Sequence, residues 1–489
     1  MARVAPDFRS QPERLILRAY ISRPAKLPVS VGQREIVVVL AGILSAGLLA
    51  SLPMEAAVGV SGAGLVVGLA VVNPLVAFGA LLASVPFLTL LTIEAGDFSV
   101  TLTEPLVALL ALSWAARAVR RREAWNTTAR GQSLVAAFGL VFVAVLCSSL
   151  VASRTGLAIK EIAKWAELVF VLGFAASELR TYGHRRAIVL VMLLAASLEA
   201  VYGIYQYASG SGPAEFTLGE ALRAYGHFEQ PNPFAGYLAT LLPLGLALLA
   251  SAPRADRSAG FLGLAVALLS AAIVVSLSRG AWVGVGVAVL CMLGAWSQSS
   301  RRAIAPVLAC VGLVVLLTAA NIIPGAWADR LVAIGENFGV FDVRTVNVTT
   351  ENFAVVERMA HWQAGWEMFL DHPWLGVGAG NYPARYDDYS LPGWREPLGH
   401  AHNYYLNMAA EAGLPGFVAL VAALVVLFRT VVRGLIAAAP GSESRVLLVG
   451  LLGSFVVFVV HNLFDNLLVH GMAVQIGALA GLAAAISDW

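Results

Sequence analysis

Apolar runs of about 20 residues, the length needed to cross the hydrocarbon core of a bilayer, recur along almost this whole chain. They fall at 35–52, 55–72, 74–93, 102–119, 132–152, 157–177, 186–207, 233–251, 259–277, 280–296, 303–320, 413–434, 446–464 and 467–486. Within lipid a backbone must satisfy its own hydrogen bonds, and a helix does so inside one segment. The series therefore predicts an all-α, polytopic transmembrane helical bundle of about 12–14 spans. A mean hydropathy of +0.78 with only 13% charged residues excludes an ordinary soluble domain. The net charge of +2 leaves no basic footprint for nucleic acid. The cysteines (Cys147, Cys291, Cys310) all sit inside apolar runs without metal or disulfide spacing.

Four regions follow from this pattern. Residues 1–34 are polar and basic and read as a cytoplasmic N-terminal tail. Residues 35–320 form a transmembrane bundle, 321–412 one large extracytoplasmic loop, and 413–489 the C-terminal transmembrane helices. With the N-terminus inside, alternation puts Arg117, Arg120–Arg122, Arg130, Arg180, Arg185, Arg186, Arg254, Arg257, Arg301, Arg302, Arg429, Arg433 and Arg445 on the cytoplasmic side. That is the arrangement the positive-inside rule selects. The same orientation sends Arg223, Arg279, the long loop and the segment His461–Asn466 to the outer face.

Those outer segments hold the candidate chemistry. Arg279, in Ser278-Arg279-Gly280, lies between two apolar helices, where an ionisable group is costly; the plainer reading is a snorkelling helix-end arginine. Arg223 precedes Pro231-Asn232-Pro233, whose prolines set a rigid helix entry. A helix is expected over about 353–370, with Arg358, Trp362, Gly365 and Phe369 on one face. His361 and His372 read there as structural or solvated. His400-Ala401-His402-Asn403 brings two histidines suited to proton transfer, or to helix capping. Their i, i+2 spacing suits no helical zinc site, so no metal is expected. His461 and Asp465 read as support, the carboxylate orienting a histidine or pairing with an arginine. Lys160, Glu161, Lys164 and Glu167 read as a self-neutralised helix face.

Ser278-Arg279-Gly280, the Arg358 helix followed by Asp371-His372-Pro373-Trp374-Leu375-Gly376-Val377-Gly378, and His400-Ala401-His402-Asn403 with Glu411-Ala412-Gly413 resemble the O-antigen ligase and polymerase superfamily. These are bacterial membrane glycosyltransferases with a GT-C-like helical fold. The likeness is best over roughly Arg223–Asn466, and earlier residues match only as a run of helices. It implies transfer of a glycan from an undecaprenyl-diphosphate carrier to an acceptor glycan or glycolipid at the outer face of the bacterial inner membrane. It implies no cofactor and no metal. Arg279 and Arg358 match the family's diphosphate-contacting arginines, and His402 its candidate base. Arg223, His400, Asn403, Asn232, His461 and Asp465 are the expected substrate-binding set.

Direct displacement from one face predicts inversion at the anomeric carbon, and the scarcity of acidic residues argues against a two-carboxylate glycosidase. A polysaccharide polymerase or a protein O-oligosaccharide ligase would use the same chemistry. A transporter of lipid-linked glycans is the rival from another class, and it should spread charge through the membrane depth and show internal repeats.

Overall fold

The computed structural model describes residues 64, 67–68, 73–90, 92–95, 98–121, 127–219, 221–253, 257–320, 341–349 and 352–487. The chain divides into Met1–Leu65 and Val66–Trp489, and every element named here belongs to the second unit. The expected tail at 1–34, nearly all of the spans expected at 35–52 and 55–72, and residues 321–340 of the expected loop lie outside the described residues.

Fourteen helices are present among the described residues. They are α1 (Pro74–Ser84), α2 (Thr103–Arg121), α3 (Ala129–Ser148), α4 (Thr155–Glu178), α5 (Tyr182–Ser209), α6 (Pro231–Ser251) and α7 (Arg257–Val275). After these come α8 (Arg279–Trp296), α9 (Ile304–Ala319), α10 (Phe353–Asp371), α11 (Tyr382–Tyr389), α12 (Tyr404–Ala437), α13 (Glu443–His461) and α14 (Met472–Ile486). Among the described residues, strands are confined to two antiparallel hairpins, β1 (Ile93–Ala95) with β2 (Phe98–Val100), and β3 (Thr217–Leu218) with β4 (Ala221–Leu222). Local chemistry sets several starts. Asn73, Thr128, Asn403 and Ser442 each accept a hydrogen bond from a backbone N–H of the first turn they cap. Pro74 and Pro231 occupy first-turn positions, where a missing N–H costs nothing.

Eight of these helices are long and apolar enough to cross a membrane, namely α3, α5 to α9, α12 and α13. The protein is an all-α polytopic bundle, as its sequence predicts. Several expected spans differ in detail, among them 467–486, where only the shorter helix α14 forms. The run at 74–93 is not one helix: α1 stops at Ser84, and a 3₁₀ turn through Pro86 leads into the first hairpin, since proline cannot extend the helical ladder. The runs at 102–119 and 157–177 do form helices, α2 and α4, but charges keep both outside the eight, in α4 Lys160, Glu161, Lys164 and Glu167. The span expected at 413–434 starts earlier, at Tyr404, with a break at Gly413 (φ 64°, ψ −168°).

Packing follows from which helices are apolar all round. α13 is buried between α6 and α8, and α14 lies along α4, while α12 packs on α3. The bundle has two unlike ends. At one, Arg445 of α13 donates to the carbonyls of Leu435 on α12 and Ala295 on α8, both at 2.8 Å. At the other, α10 and α11 are sewn to the bundle. Val377 N and Gly378 N donate to Ala410 O and Glu411 O, and Leu414 N donates to Pro373 O. Asn381 bonds the backbone of Arg154 through both its amide atoms. Gly413 is needed at this seam: its φ is positive and an added Cβ would lie 2.5 Å from Trp374 O.

Candidate active site

Three arginines from distant segments meet at the end of the bundle that carries α10. Arg223 follows β4 and reaches across two helices, with Nε donating to Ser276 O at 3.0 Å and Nη2 to Asn232 Oδ1 at 2.8 Å. Its segment is clamped from α5. The buried Glu199 accepts from His227 N and pairs with His227 Nδ1, both at 2.7 Å, and Gln206 holds Gly226 through its N–H and its carbonyl. Arg279 opens α8 and is 5% exposed. Arg358 comes from the first turns of α10. These arginines, with Asn232, His461, Phe464 and Asp465, line a cavity of about 60 Å³. Gly280 admits His461 to it, because a Cβ there would stand 2.6 Å from the imidazole Cδ2.

Beside this cavity lies a histidine cluster that shares Asp465 with it. Asp465 Oδ1 is 3.6 Å from His402 Nδ1 and 3.7 Å from His400 Nε2, ion-pair distances beyond direct hydrogen bonding. The His400 and His402 rings are 4.4 Å apart, and His361 stands edge-on to His402 at 5.6 Å. His402 is fixed from both sides. Its N–H donates to His400 Nδ1 at 3.1 Å, and its carbonyl accepts from Trp362 Nε1 at 3.3 Å. It adopts φ 50°, an uncommon conformation for a residue with a Cβ. His361 is buried, stacked on Tyr386 and bonded to the Tyr382 hydroxyl at 3.1 Å.

Charge and burial divide the roles of these groups. Burial lowers His400 to a pKa of about 3, helped by His402, His361 and Lys164 and opposed by Asp465. Burial and the nearby His402 lower His361 to about 3. Both rings are therefore neutral at pH 7. Burial alone would raise Asp465, but His402, His400 and His461 outweigh it and hold its carboxyl well below the ordinary range. Burial also lowers Arg358, while Asp465 and Glu357 act to keep its charge. The site thus combines fixed positive charge with one anionic carboxylate that can orient a histidine.

The structure brings together Arg223, Asn232, Arg279, Arg358, His461 and Asp465 in the cavity, with His400 and His402 beside it. Asn403 is adjacent, but its Oδ1 is spent on capping α12 through Leu406 N. His372 is not among these residues. Two neighbours stood outside the sequence-based set. His361 follows Arg358 by three residues, so the shared helix face was a usable signal. Lys164 pairs with Glu161 at 2.6 Å, and its charge adds a small push that lowers His400, which no local pattern on α4 announces. His400, His402 and Asp465 could also hold a cation, since one donor atom from each lies within 4.8 Å of the others.

A comparison with family models matches residues 264–421 to the family described as O-antigen ligase. The matched stretch contains Arg279, Arg358, His400 and His402, and it excludes Arg223, His461 and Asp465. No match is found among curated proteins.

Proposed function

With residues 264–421 belonging to the O-antigen ligase family, we propose that this multi-pass membrane protein moves a glycan from an undecaprenyl-diphosphate carrier to an acceptor sugar, inverting the anomeric carbon and using no metal. The observation that carries the reading is Asp465, which lines the arginine cavity and also faces both histidines. Leaving-group stabilisation and proton abstraction are thereby adjacent.

In this mechanism Arg223, Arg279 and Arg358 hold the diphosphate. Guanidinium forks match phosphate oxygens and stay charged at working pH. His402 takes the proton of the acceptor hydroxyl as that oxygen attacks the anomeric carbon. The bond from carbon to the diphosphate oxygen breaks, and its electron pair leaves with the carrier. Asp465 orients His402 Nδ1 and stabilises the imidazolium that forms, the role a buried carboxylate plays toward a histidine base. One fixed donor at developing charge is typically worth about 3–4 kcal/mol, and general-base help about 10²–10⁴-fold.

His400, His402 and Asp465 together invite a cation-assisted reading, which His400 disfavours. Its Nδ1 accepts the N–H of His402, so the proton of the neutral ring sits on Nε2, the nitrogen that faces Asp465. That nitrogen has no lone pair for a metal until the backbone bond is given up.

The carrier's isoprenoid tail has a matching surface. An apolar groove of about 760 Å³ runs from Asn403 and Tyr405 along α12, past Phe417, Val421 and Val425, to Arg433. The site belongs on the extracytoplasmic side of a bacterial inner membrane, with the N-terminus inside and 321–412 as the outer loop. The positive-inside rule supports this, because Arg257, Arg301, Arg302, Arg429, Arg433 and Arg445 collect away from the site. A polymerase or a protein O-oligosaccharide ligase would share this site and differ in acceptor.

The test uses purified protein in nanodiscs with a lipid-diphosphate glycan and a panel of acceptors, following carrier diphosphate release with EDTA present. Release that His402→Ala and Arg279→Ala both abolish is expected, and the acceptor consumed separates ligase from polymerase. Release that stops with EDTA and returns with a divalent cation would replace this mechanism by the cation-assisted one. Carrier binding without cleavage for any acceptor would favour the transporter.

A further inference from the structure

Farther along α10 from the arginine cavity lies a larger hollow of about 810 Å³, lined by residues of 341–344, α10, 388–392 and Leu406. We propose that this hollow is a glycan-binding cleft that takes neutral or amino sugars and rejects acidic ones. The proposal deepens the transfer reading above and rests on it for the cleft's role.

Its lining has the two elements that sugar recognition needs. Trp362 and Trp366, with Tyr389, supply flat aromatic faces to the cleft. Trp366 is 50% exposed, an amount of indole that calls for a partner more than a scattered aliphatic does. A sugar ring offers apolar C–H faces to such surfaces and hydroxyl donors at its edge. Carboxylates accept hydrogen bonds and donate none, and Asp342, Glu367, Asp371 and Asp388 all border the cleft. Gln363 adds an amide and is already placed, with Oε1 accepting from Val343 N and Nε2 donating to Asp342 Oδ1. A hollow with aromatic walls and a few convergent polar groups is the usual form of a small-ligand site.

Charge sets the selectivity. Among the lining side chains four carboxylates stand against one guanidinium, that of Arg344. Arg385 neutralises Asp388 in part, at 2.8 Å. An anionic glycan would meet net repulsion here, whereas a neutral hexose or a cationic amino sugar would not. Position supplies the link to chemistry. Trp362 lines the cleft and donates to the carbonyl of His402. Arg358, one turn earlier on α10, lines the arginine cavity. A glycan whose reacting end lies at His402 would extend its next units over α10 into this cleft.

The experiment measures binding of free oligosaccharides to the full-length protein in nanodiscs, with no lipid carrier present. The probes are a neutral hexose oligomer, a chitosan oligomer and an oligogalacturonate, with oligolysine as a peptide control. Neutral or amino oligomers should bind at millimolar concentration or better and the uronate should not. Trp366→Ala should weaken binding by about tenfold or more, Asp388→Asn by less, and Gly286→Ala, where an added Cβ meets nothing within 4 Å, should leave it unchanged. No saccharide binding, preferred binding of the uronate, binding by oligolysine alone, or indifference to both Trp366→Ala and Asp388→Asn would each overturn the cleft. The two readings fail separately. Saccharide binding lost in Trp366→Ala, with no glycan transfer from any donor, keeps the cleft and removes the transfer mechanism. Transfer with an unchanged KM in Trp366→Ala removes the cleft and keeps the mechanism.

Discussion

Asp465 Oδ1 stands 3.6 Å from His402 Nδ1, and the same carboxylate lines the cavity that holds Arg223, Arg279 and Arg358. In the proposed mechanism the pair couples a proton acceptor to a cluster of fixed cations. Asp465→Asn would keep the shape and remove the charge that favours the imidazolium. Its transfer rate should fall about 10²–10⁴-fold, the range of general-base help. The double variant with His402→Ala should be no slower than His402→Ala alone, because the two act as one unit. Additive losses in single-turnover assays would show that Asp465 acts on something other than His402.

Arg279 tests whether the cations act by charge alone. Buried at the first residue of α8, its guanidinium can present a planar fork to a diphosphate. Lysine supplies the charge without the fork. Arg279→Ala should cost about 10²–10³-fold in turnover, as expected for one donor at developing charge, and Arg279→Lys should recover only part of it. Full activity in the lysine variant would mean that long-range charge suffices.

Gly280 makes a sharper structural claim. A Cβ there meets the His461 ring at 2.6 Å, whereas one at Gly286, two turns along α8, meets nothing within 4 Å. Gly280→Ala should destabilise the protein by about 1–3 kcal/mol through overpacking and slow transfer by displacing His461. Gly286→Ala should be neutral or mildly stabilising, since alanine favours helix over glycine. Melting temperatures of the two variants compared with wild type decide it. Equal behaviour would mean that His461 moves aside freely.

Much of this architecture was legible because its causes are local. Helix length and apolar content follow from composition within one segment, and the alternation of basic loops puts Arg223, Arg279, Arg358, His402 and Asp465 at one end of the bundle. What stayed hidden depends on packing across segments. Lys164 was read as neutralised on its own helix. It is paired there with Glu161, yet its charge also helps to lower His400. Asn403 was read as a substrate contact, but its first duty is to cap α12. The length of α1 turned on a single proline, Pro86, inside an otherwise convincing apolar run.

The neutral histidines predict how stability responds to acid. His361 and His400 sit at a pKa of about 3 in the folded protein, against an ordinary value of about 6.5. Between these values the unfolded chain binds protons that the folded protein refuses, so stability rises with pH across the window. The contribution is complete above about pH 6.5 and is lost progressively as pH falls toward 3. Asp465 acts in the same direction in a lower window. Its carboxyl is held below its unfolded value, so its contribution is present above about pH 4 and lost below it. Melting temperatures in nanodiscs should therefore drop between about pH 7 and pH 5, before ordinary carboxylates titrate. His361→Gln removes one of the responsible rings and should flatten that slope, even if it lowers stability at every pH. A slope unchanged in His361→Gln would mean that this ring does not resist protonation in the folded protein.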